Sequence, residues 1–326
     1  MEYRRLGRTG LKVSVLGLGT GGPNRLGQSR YVSRGQIHRL IRQALELGIN
    51  FFDTSGAYEH SESLLGSALQ GVRRDRYVLS SKIFPWHKGN LLNPEEIRLQ
   101  VEHSLQRLRV DELDVLHLHR VTPEAYTNAL DQVIPELLKL RDEGKFRFLG
   151  ISESSSRDPE HRMLRRALQD DVYDTVMVAY NPAYTSAEKM VFPRAQHQDV
   201  GVICMSTARH FVPRNAAERL RVLGRTFASL ATSPPADIAR LKARLKTAFF
   251  DTTRAAPGKA RFDHGCEGAA GPALPESTYS FALTPAAVSS VLTGTVNPTH
   301  LVRNVMAVQA PALSNTDMAR WRDLVD

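Results

Sequence analysis

Apolar and polar positions along the chain follow two alternating patterns. Short runs of consecutive apolar residues are separated by longer stretches in which apolar residues recur every three or four positions. The short runs are typical of parallel strands covered on both faces, and the longer stretches are typical of amphipathic helices. The runs that predict strands are residues 13–18, 50–53, 77–81, 113–118, 147–151, 175–179, 201–204 and 289–292.

The predicted helices begin and end at residues that favour helix termini. Ser33 is a suitable N-cap for a helix whose apolar face begins at Ile37, and Gly48 follows its end. Asn93 and Pro94 begin another amphipathic helix. Strands that each precede a helix predict an α/β fold of the closed (β/α)8 type, the TIM barrel, with an open doubly wound sheet as the alternative.

Two regions depart from this rhythm. The first dozen residues, with Gly7 and Gly10, predict an N-terminal β-hairpin ahead of the first barrel strand. Residues 210–275 form a long late loop insertion that contains a basic helix-like stretch and a piece rich in glycine, alanine and proline. This insertion is either a lid on the active-site face or a surface insertion without a function. We expect residues 1–326 to form one barrel domain.

Composition favours a soluble, cytoplasmic protein. Apolar residues make up 42% of the chain, and there is no apolar run long enough to cross a membrane. The first ten residues lack the apolar core of a secretion signal. The two cysteines, Cys204 and Cys266, do not resemble a disulfide framework or a metal site, which fits a reducing compartment.

The net charge of +9 raises the question of a nucleic-acid partner. The basic residues are scattered along predicted helices, without an aromatic-interleaved basic strand or a helix-turn-helix pattern. We therefore expect a solvated basic surface that can also steer an anionic cofactor, and no nucleic-acid partner.

Four chemically active side chains lie at or just beyond the ends of predicted strands: Asp53, Tyr58, Lys82 and His119. Each alone could cap a turn or mark the exit of a strand to solvent. In a barrel, however, the carboxyl ends of the strands converge at one mouth. A lysine in that partly dry mouth needs a carboxylate partner, which Asp53 can supply, and its ammonium would lower the pKa of the Tyr58 phenol. Strand alternation places His117 on the same side as His119, where we expect His117 to be a packed core residue.

Residues 17–22 match the dinucleotide-binding pattern GxGxxG after a predicted strand. The match lacks its required context, because Pro23 and Asn24 follow in place of an apolar helix. A tight loop at a barrel mouth, in which Gly19 and Thr20 approach a ligand closely, accounts for the glycines better.

The chain resembles the aldo-keto reductases. The resemblance rests on residues 53–58 followed by Glu62 and residues 65–66, then on Lys82, and on residues 116–120. Residues 150–152, residues 292–295 and Asn304 also match. The resemblance covers nearly the whole chain apart from the insertion, and the spacing of the first three motifs makes it specific.

This resemblance implies a (β/α)8 barrel that binds NADP(H) without a Rossmann domain. It implies that Tyr58 is the general acid or base, that Lys82 tunes its pKa, that Asp53 holds Lys82, and that His119 orients the carbonyl. Hydride would pass directly between the nicotinamide and the substrate carbon, with the protein supplying position and a tuned proton donor.

The chain departs from the family where the resemblance implies cofactor contacts. Ser152 keeps its place, but Glu153 stands where asparagine is common and Met177 where glutamine is common. Met205 replaces the usual stacking aromatic, and Ser206 follows it as expected. The loop that usually carries a basic residue for the 2′-phosphate reads Gly294-Thr295-Val296-Asn297, with His300 as a possible substitute. We therefore expect weaker cofactor binding or a lost preference for the 2′-phosphate, so that NAD(H) is an alternative to NADP(H).

The sequence is less informative about the substrate. Trp86 could line the substrate pocket or anchor a surface loop, and Arg120 could bind an anionic substrate group or the surrounding backbone. His117 and His119 lack further ligands at metal spacing, so we expect no metal site.

The sequence therefore predicts an NADP(H)-dependent oxidoreductase that reduces an aldehyde or ketone to an alcohol, with a small-molecule carbonyl or alcohol as substrate. One alternative is an NAD(P)-dependent dehydrogenase of a sugar lactol. Another is a nucleotide-binding sensor or interaction subunit with little turnover, which the altered cofactor residues favour and the four catalytic residues oppose. The substrate, the direction of reaction and the oligomeric state stay open.

Overall fold

The computed structural model describes residues 1–22, 24–87, 89–208 and 274–310. The predicted insertion at residues 210–275 lies outside the described residues, except for its last two positions, which begin a helix. Within the described ranges, no helix is long and apolar enough to cross a membrane.

Eight parallel strands close into a barrel, which confirms the predicted fold class. In the order around the barrel, each strand hydrogen-bonds with the next and the last pairs with the first. The barrel strands are β3 (Leu16–Gly19), β4 (Phe51–Asp53), β5 (Val78–Ile83), β8 (Leu113–Val121), β9 (Phe146–Glu153), β10 (Thr175–Ala179), β11 (Gly201–Met205) and β12 (Val288–Thr293).

Two short antiparallel hairpins lie outside the barrel. The first is β1 (Tyr3–Arg5) with β2 (Lys12–Ser14), and the second is β6 (Trp86–His87) with β7 (Asn90–Leu91). The first confirms the predicted N-terminal hairpin. Its loop residues Leu6 and Leu11 are buried against residues from the first part of the barrel strands, including Phe51 and Val115. The hairpin thus closes the amino-terminal end of the barrel and leaves the carboxyl-terminal end as the mouth.

Helices follow the barrel strands and cover their outer faces. Their first turns carry the expected caps: Ser33 and Asn93 each accept a hydrogen bond from a backbone N–H of the first turn in a capping box. The helices are α1 (Arg34–Glu46), α2 (Ser61–Leu69), α3 (Pro94–Leu108), α4 (Pro123–Gln132), α5 (Ile134–Asp142), α6 (Arg162–Asp170), α7 (Ala187–Met190), α8 (Phe192–His197), α9 (Leu274–Leu283) and α10 (Pro298–Gln309).

One predicted strand is divided in two. Residues 13–18 read as a single apolar run, but the hairpin strand β2 ends at Ser14 and the barrel strand β3 begins at Leu16. The bend lies at Val15, whose N–H bonds to the carbonyl of Glu2. The run is continuous because both strands are buried, so hydrophobicity alone could not reveal the change of direction.

His117 occupies the barrel interior, as predicted for a packed core histidine. It is fully buried, with Nδ1 at 3.1 Å from Ser80 Oγ and Nε2 at 3.0 Å from Thr175 Oγ1. A Cβ atom at Gly150 would lie 2.3 Å from the imidazole, so only glycine leaves room for the ring there. Burial, aided by the charge of Lys82, lowers the pKa of His117 to about 3, and the imidazole is neutral.

Candidate active site

A buried ion pair stands at the carboxyl ends of β4 and β5. The Lys82 ammonium donates to Asp53 Oδ1 at 2.6 Å, to Asp53 Oδ2 at 2.5 Å and to the carbonyl of Thr54 at 2.7 Å. The two residues are 1% and 3% exposed. Burial opposes the charge on Lys82, but Asp53, Tyr58 and Glu62 outweigh it and raise the pKa of the ammonium. Lys82 is therefore a fixed positive charge.

The phenol of Tyr58 lies over this charge. Lys82 Nζ is 5.4 Å from the centre of the Tyr58 ring, and the hydroxyl is 3.4 Å from His119 Nε2. A Cβ atom at Gly21 would lie 2.6 Å from two ring carbons of Tyr58. Gly21, which stands in the loop after β3 at a variable position of the GxGxxG match, therefore leaves the space that the phenol occupies.

Lys82 lowers the pKa of Tyr58 as expected, but burial outweighs its effect and the net direction is upward. Burial raises the pKa of Tyr58, and the charges of Lys82 and Arg120 offset only part of that rise, while Asp53 adds to it. Burial disfavours the phenolate strongly. The Lys82 ammonium cannot offset this cost, because its charge is already neutralised by Asp53. Tyr58 is consequently a protonated phenol throughout the neutral range.

His119 supplies a neutral imidazole at the same point. It is buried in the last part of β8, and its Nδ1 lies 3.1 Å from Ser55 Oγ. Burial, followed by the charges of Lys82 and Arg120, lowers the pKa of His119 well below its ordinary value. The structure thus brings together all four residues that the sequence predicted to converge, with an acid, a fixed cation and a neutral imidazole around one point.

A further side chain holds this arrangement and was missed by sequence reasoning. Gln28 lies in the loop between β3 and α1, and its amide nitrogen donates to the carbonyl of Tyr58 at 3.2 Å and to Ser61 Oγ at 3.0 Å. Its amide oxygen accepts the N–H of His60 at 3.0 Å. Gln28 therefore fixes the backbone that carries the phenol. Nothing in its local sequence marks it, because its role depends on the conformation of two loops.

On the strand that pairs with β8, Ser152 and Glu153 end β9. The Glu153 side chain is fully buried; one oxygen accepts the N–H of Ala179 at 2.8 Å, and the other lies 2.7 Å from His161 Nδ1. Ser152 is buried and accepts the N–H of Arg120 at 3.2 Å. This geometry favours a structural role for Glu153, tying β9 to β10 and α6, over the contact with a cofactor amide that we expected.

Thr20 and Asn304 are also engaged within the protein. Thr20 is fully buried, donates its N–H to the carbonyl of Asp53 at 2.8 Å, and shares a hydrogen bond with Thr54 Oγ1 at 2.8 Å. Asn304 is buried in α10 and donates to Thr293 Oγ1 at 2.8 Å. Both join elements around the mouth, so a direct contact with a ligand is not needed to account for them.

The ends of β11 and β12 provide the more open positions. Met205 and Ser206 are half-buried, and Ser206 adopts the left-handed backbone with φ +58°. Thr207 comes next and is 1% exposed, and its hydroxyl has no hydrogen-bond partner among the described residues. A buried polar group without a partner costs stability unless a ligand or water satisfies it. Thr207 is a second residue that sequence reasoning missed, although it directly follows Met205 and Ser206.

Neighbouring positions continue this open side. Gly294 is exposed and lies against the loop after β3, where a Cβ atom would be 3.8 Å from the carbonyl of Gly19. Thr295 is half-buried, and His300 is exposed in the first turn of α10. These residues and Ser206 and Thr207 surround a polar, partly open edge of the mouth.

The two residues expected to contact the substrate are Trp86 and Arg120. Trp86 is half-buried in the β6–β7 hairpin, with its ring centre 5.7 Å from that of Phe84. The Phe84 ring is in turn 6.3 Å from the ring of His119. Arg120 is exposed at the end of β8. Phe84, which sequence reasoning missed, therefore lies between Trp86 and His119.

Over residues 1–208 and 274–310, excepting 23 and 88, no group of three or more histidine, cysteine, aspartate or glutamate side chains is arranged to hold an ion.

Comparison with known proteins places this geometry in context. The family model described as "Aldo/keto reductase family" matches residues 15–326. An L-galactose dehydrogenase from Arabidopsis thaliana is 36% identical over 162 residues, a match that spans 47% of this chain and 48% of that relative. The chain therefore aligns with about half the length of this curated relative.

Solved structures share the fold. An aldo-keto reductase from Bacillus halodurans, in its holo form, superposes with a TM-score of 0.69 at 23% identity, covering 100% of this chain and 97% of that one. An aldo/keto reductase from Klebsiella pneumoniae, solved in complex with NADP and acetate, gives a TM-score of 0.68 at 23% identity, with 99% and 95% coverage.

Proposed function

Because the chain belongs to the aldo/keto reductase family, we propose that it is an oxidoreductase that uses NADP(H) to reduce an aldehyde or ketone to an alcohol. One observation carries the proposal: the buried Lys82–Asp53 pair lies beneath the phenol of Tyr58, whose hydroxyl is 3.4 Å from His119 Nε2. A pure nucleotide-binding protein has no need of a proton donor arranged in this way.

Tyr58 acts as the proton donor in this proposal. When bound, NADPH supplies the hydride, and the alkoxide that forms on the substrate is far more basic than a phenolate. A phenol with a raised pKa can therefore still protonate it. The fixed charge of Lys82 stabilises the phenolate that is left, and Asp53 keeps Lys82 in position. The neutral imidazole of His119 can hydrogen-bond the substrate oxygen and orient it towards Tyr58.

The residues that would hold the cofactor are those on the open edge of the mouth. The orphaned hydroxyl of Thr207 fits a polar ligand there, together with Ser206, Gly294 and Thr295. The complex of the Klebsiella pneumoniae relative with NADP supports the choice of nicotinamide cofactor. The loop of residues 294–297 contains no lysine or arginine that could bind a 2′-phosphate, so NAD(H) is the alternative cofactor.

Tyr58→Phe tests the role of the phenol. Purified protein is mixed with NADPH or, separately, NADH and with a panel of reactive aldehydes and quinones, and the loss of reduced nicotinamide absorbance is followed. Loss of a general acid lowers kcat by about 10²- to 10⁴-fold. Phenylalanine keeps the ring packed beside Gly21, so cofactor binding, followed by fluorescence titration, is expected to persist.

Tyr31→Phe is the matched control, since Tyr31 is 97% exposed and the same hydroxyl is removed. Turnover that survives unchanged in Tyr58→Phe would contradict the proposal. Tight cofactor binding without turnover of any carbonyl would instead favour the sensor or interaction subunit.

A sugar dehydrogenase is the second candidate. The similarity to an L-galactose dehydrogenase favours it, because a lactol oxidation would use the same four side chains in reverse. Tyr58 would then have to accept a proton, which its raised pKa opposes at neutral pH. Reduction of NADP⁺ or NAD⁺ by aldose sugars, compared with oxidation of NADPH by aldehydes, distinguishes the two directions.

A further inference from the structure

Arg120 is the one exposed residue of β8. Its backbone is left-handed, with φ +56°, and the pairing of β8 with β9 shifts register between Leu118 and Val121. A non-glycine residue in this conformation is strained, and such strain is concentrated at functional sites. The end of β8 is therefore bent at Arg120, directly after His119, and its side chain departs from the inward–outward alternation of the strand.

The Arg120 guanidinium is not neutralised by the described part of the chain. Its backbone N–H donates to Ser152 Oγ at 3.2 Å, and among the described residues its side chain makes no ion pair or hydrogen bond. Two arginines near the barrel, Arg107 and Arg147, are by contrast paired with Glu62 and Asp114. The five donors of the Arg120 guanidinium thus have no acceptor within residues 1–208 and 274–310, apart from the undescribed positions 23 and 88.

The charge of Arg120 influences the pKa values of His119 and Tyr58. After burial and the charge of Lys82, the charge of Arg120 is the next cause that lowers the pKa of His119. It also opposes the rise that burial causes in the pKa of Tyr58. The guanidinium accordingly lies within electrostatic range of the point where the carbonyl is proposed to react.

An aromatic wall stands beside the same point. Phe84 is 39% exposed, and its ring makes edge contacts with His119 and Trp86. Gln100 donates to the Phe84 carbonyl at 3.2 Å, and the β6–β7 hairpin holds Trp86. The mouth therefore offers a flat apolar surface together with a cation that no described residue neutralises.

We propose that the site selects carbonyl substrates that carry a carboxylate and a flat apolar body, with Arg120 binding the carboxylate and Phe84 and Trp86 contacting the body. The proposal rests on the proposed function. Arginine matches a carboxylate with two parallel hydrogen bonds and is weakly hydrated, so it suits this role better than lysine. The aromatic rings favour stacked or edge contacts with an aromatic body.

A matched pair of aldehydes tests the proposal: para-formylbenzoate and its neutral methyl ester. In the wild type, kcat/KM is expected to favour the carboxylate. Arg120→Gln is expected to reduce the ratio of the two kcat/KM values by about 10- to 100-fold, as for loss of a charge-assisted hydrogen bond. Arg120→Lys should retain part of the preference, and added salt should weaken it.

Arg109→Gln is the matched control. Arg109 is also an exposed arginine with a left-handed backbone, φ +59°, but it follows α3 and precedes β8, at the other end of that strand. The variant loses the same charge and should keep the wild-type ratio. A ratio unchanged in Arg120→Gln, or lowered equally in Arg109→Gln, would overturn the proposal while Tyr58-dependent turnover still upheld the function.

A second readout does not depend on turnover. Para-methylbenzoate, which has no carbonyl to reduce at the reacting position, is titrated calorimetrically into the protein saturated with NADP⁺. Binding that is weakened at least tenfold in Arg120→Gln and kept in Arg109→Gln supports the anion site even if neither aldehyde reacts. Equal binding by all three proteins, or none by the wild type, contradicts it.

Discussion

Replacing Lys82 by methionine should destabilise the fold through the carboxylate that it leaves behind. Asp53 is 3% exposed, and Lys82 provides both of its short contacts, at 2.5 and 2.6 Å. Removing one partner of a buried ion pair costs about 3–5 kcal/mol, because the other charge is buried without compensation. At roughly 2 °C per kcal/mol for a chain of this size, the melting temperature of Lys82→Met should fall by about 6–10 °C.

The double variant Asp53→Asn/Lys82→Met separates this cause from lost packing. It removes both charges and keeps similar volumes, and replacing a whole buried pair is often close to neutral. We therefore expect most of the lost stability to return, while turnover stays abolished in both variants. Thermal and urea unfolding, each followed by circular dichroism and fluorescence, give the comparison. A double variant as unstable as Lys82→Met would refute the argument that an unpaired carboxylate is the cause.

Two further predictions concern positions around the site. Gln28→Ala should lower kcat about tenfold with little change in KM, because the backbone of Tyr58 loses its hydrogen bonds to Gln28 and small displacements of a reacting group are costly. Steady-state kinetics of this variant, measured beside Gln28→Glu, checks the prediction. A change in KM alone would contradict it. Burial lowers the pKa of His117 to about 3 in the folded protein, while in the unfolded chain it is about 6.5. The free energy of unfolding is therefore unaffected by His117 above about pH 6.5 and decreases as the pH falls towards 3, by up to about 1.4 kcal/mol per pH unit. Urea midpoints at pH 7 and pH 5 should therefore fall less in His117→Gln than in the wild type, and parallel changes would show the assignment to be wrong.

The barrel could be predicted because hydrophobicity follows burial on both faces of its strands. Parallel strands covered by helices produce continuous apolar runs, and capping residues such as Ser33 and Asn93 mark where the helices begin. The same signal fails where two buried strands meet without a polar residue between them, as at Val15. Direction is a property of the backbone that hydrophobicity does not encode.

The catalytic cluster could be predicted for a related reason. Asp53, Lys82 and His119 belong to strands, and the topology of a barrel brings strand ends together whatever the loops do. Gln28 and Phe84 lie in connections, so their contacts depend on loop conformations that periodicity does not describe. Thr207 is conspicuous only because its hydroxyl is buried without a partner, and burial becomes known only from the fold.

The direction of the Tyr58 pKa shows how burial changes the meaning of a motif. A lysine beside a tyrosine predicts a lowered pKa when the phenol is in water, but here the Lys82 charge is already balanced by Asp53 and the phenol is desolvated. In the proposed mechanism, Lys82 therefore contributes by stabilising the phenolate that forms during proton transfer, more than by ionising the resting phenol. A site arranged in this way holds its proton until a strong base appears beside it. In the proposed reduction such a base forms at the substrate oxygen, which is where Tyr58 would deliver its proton.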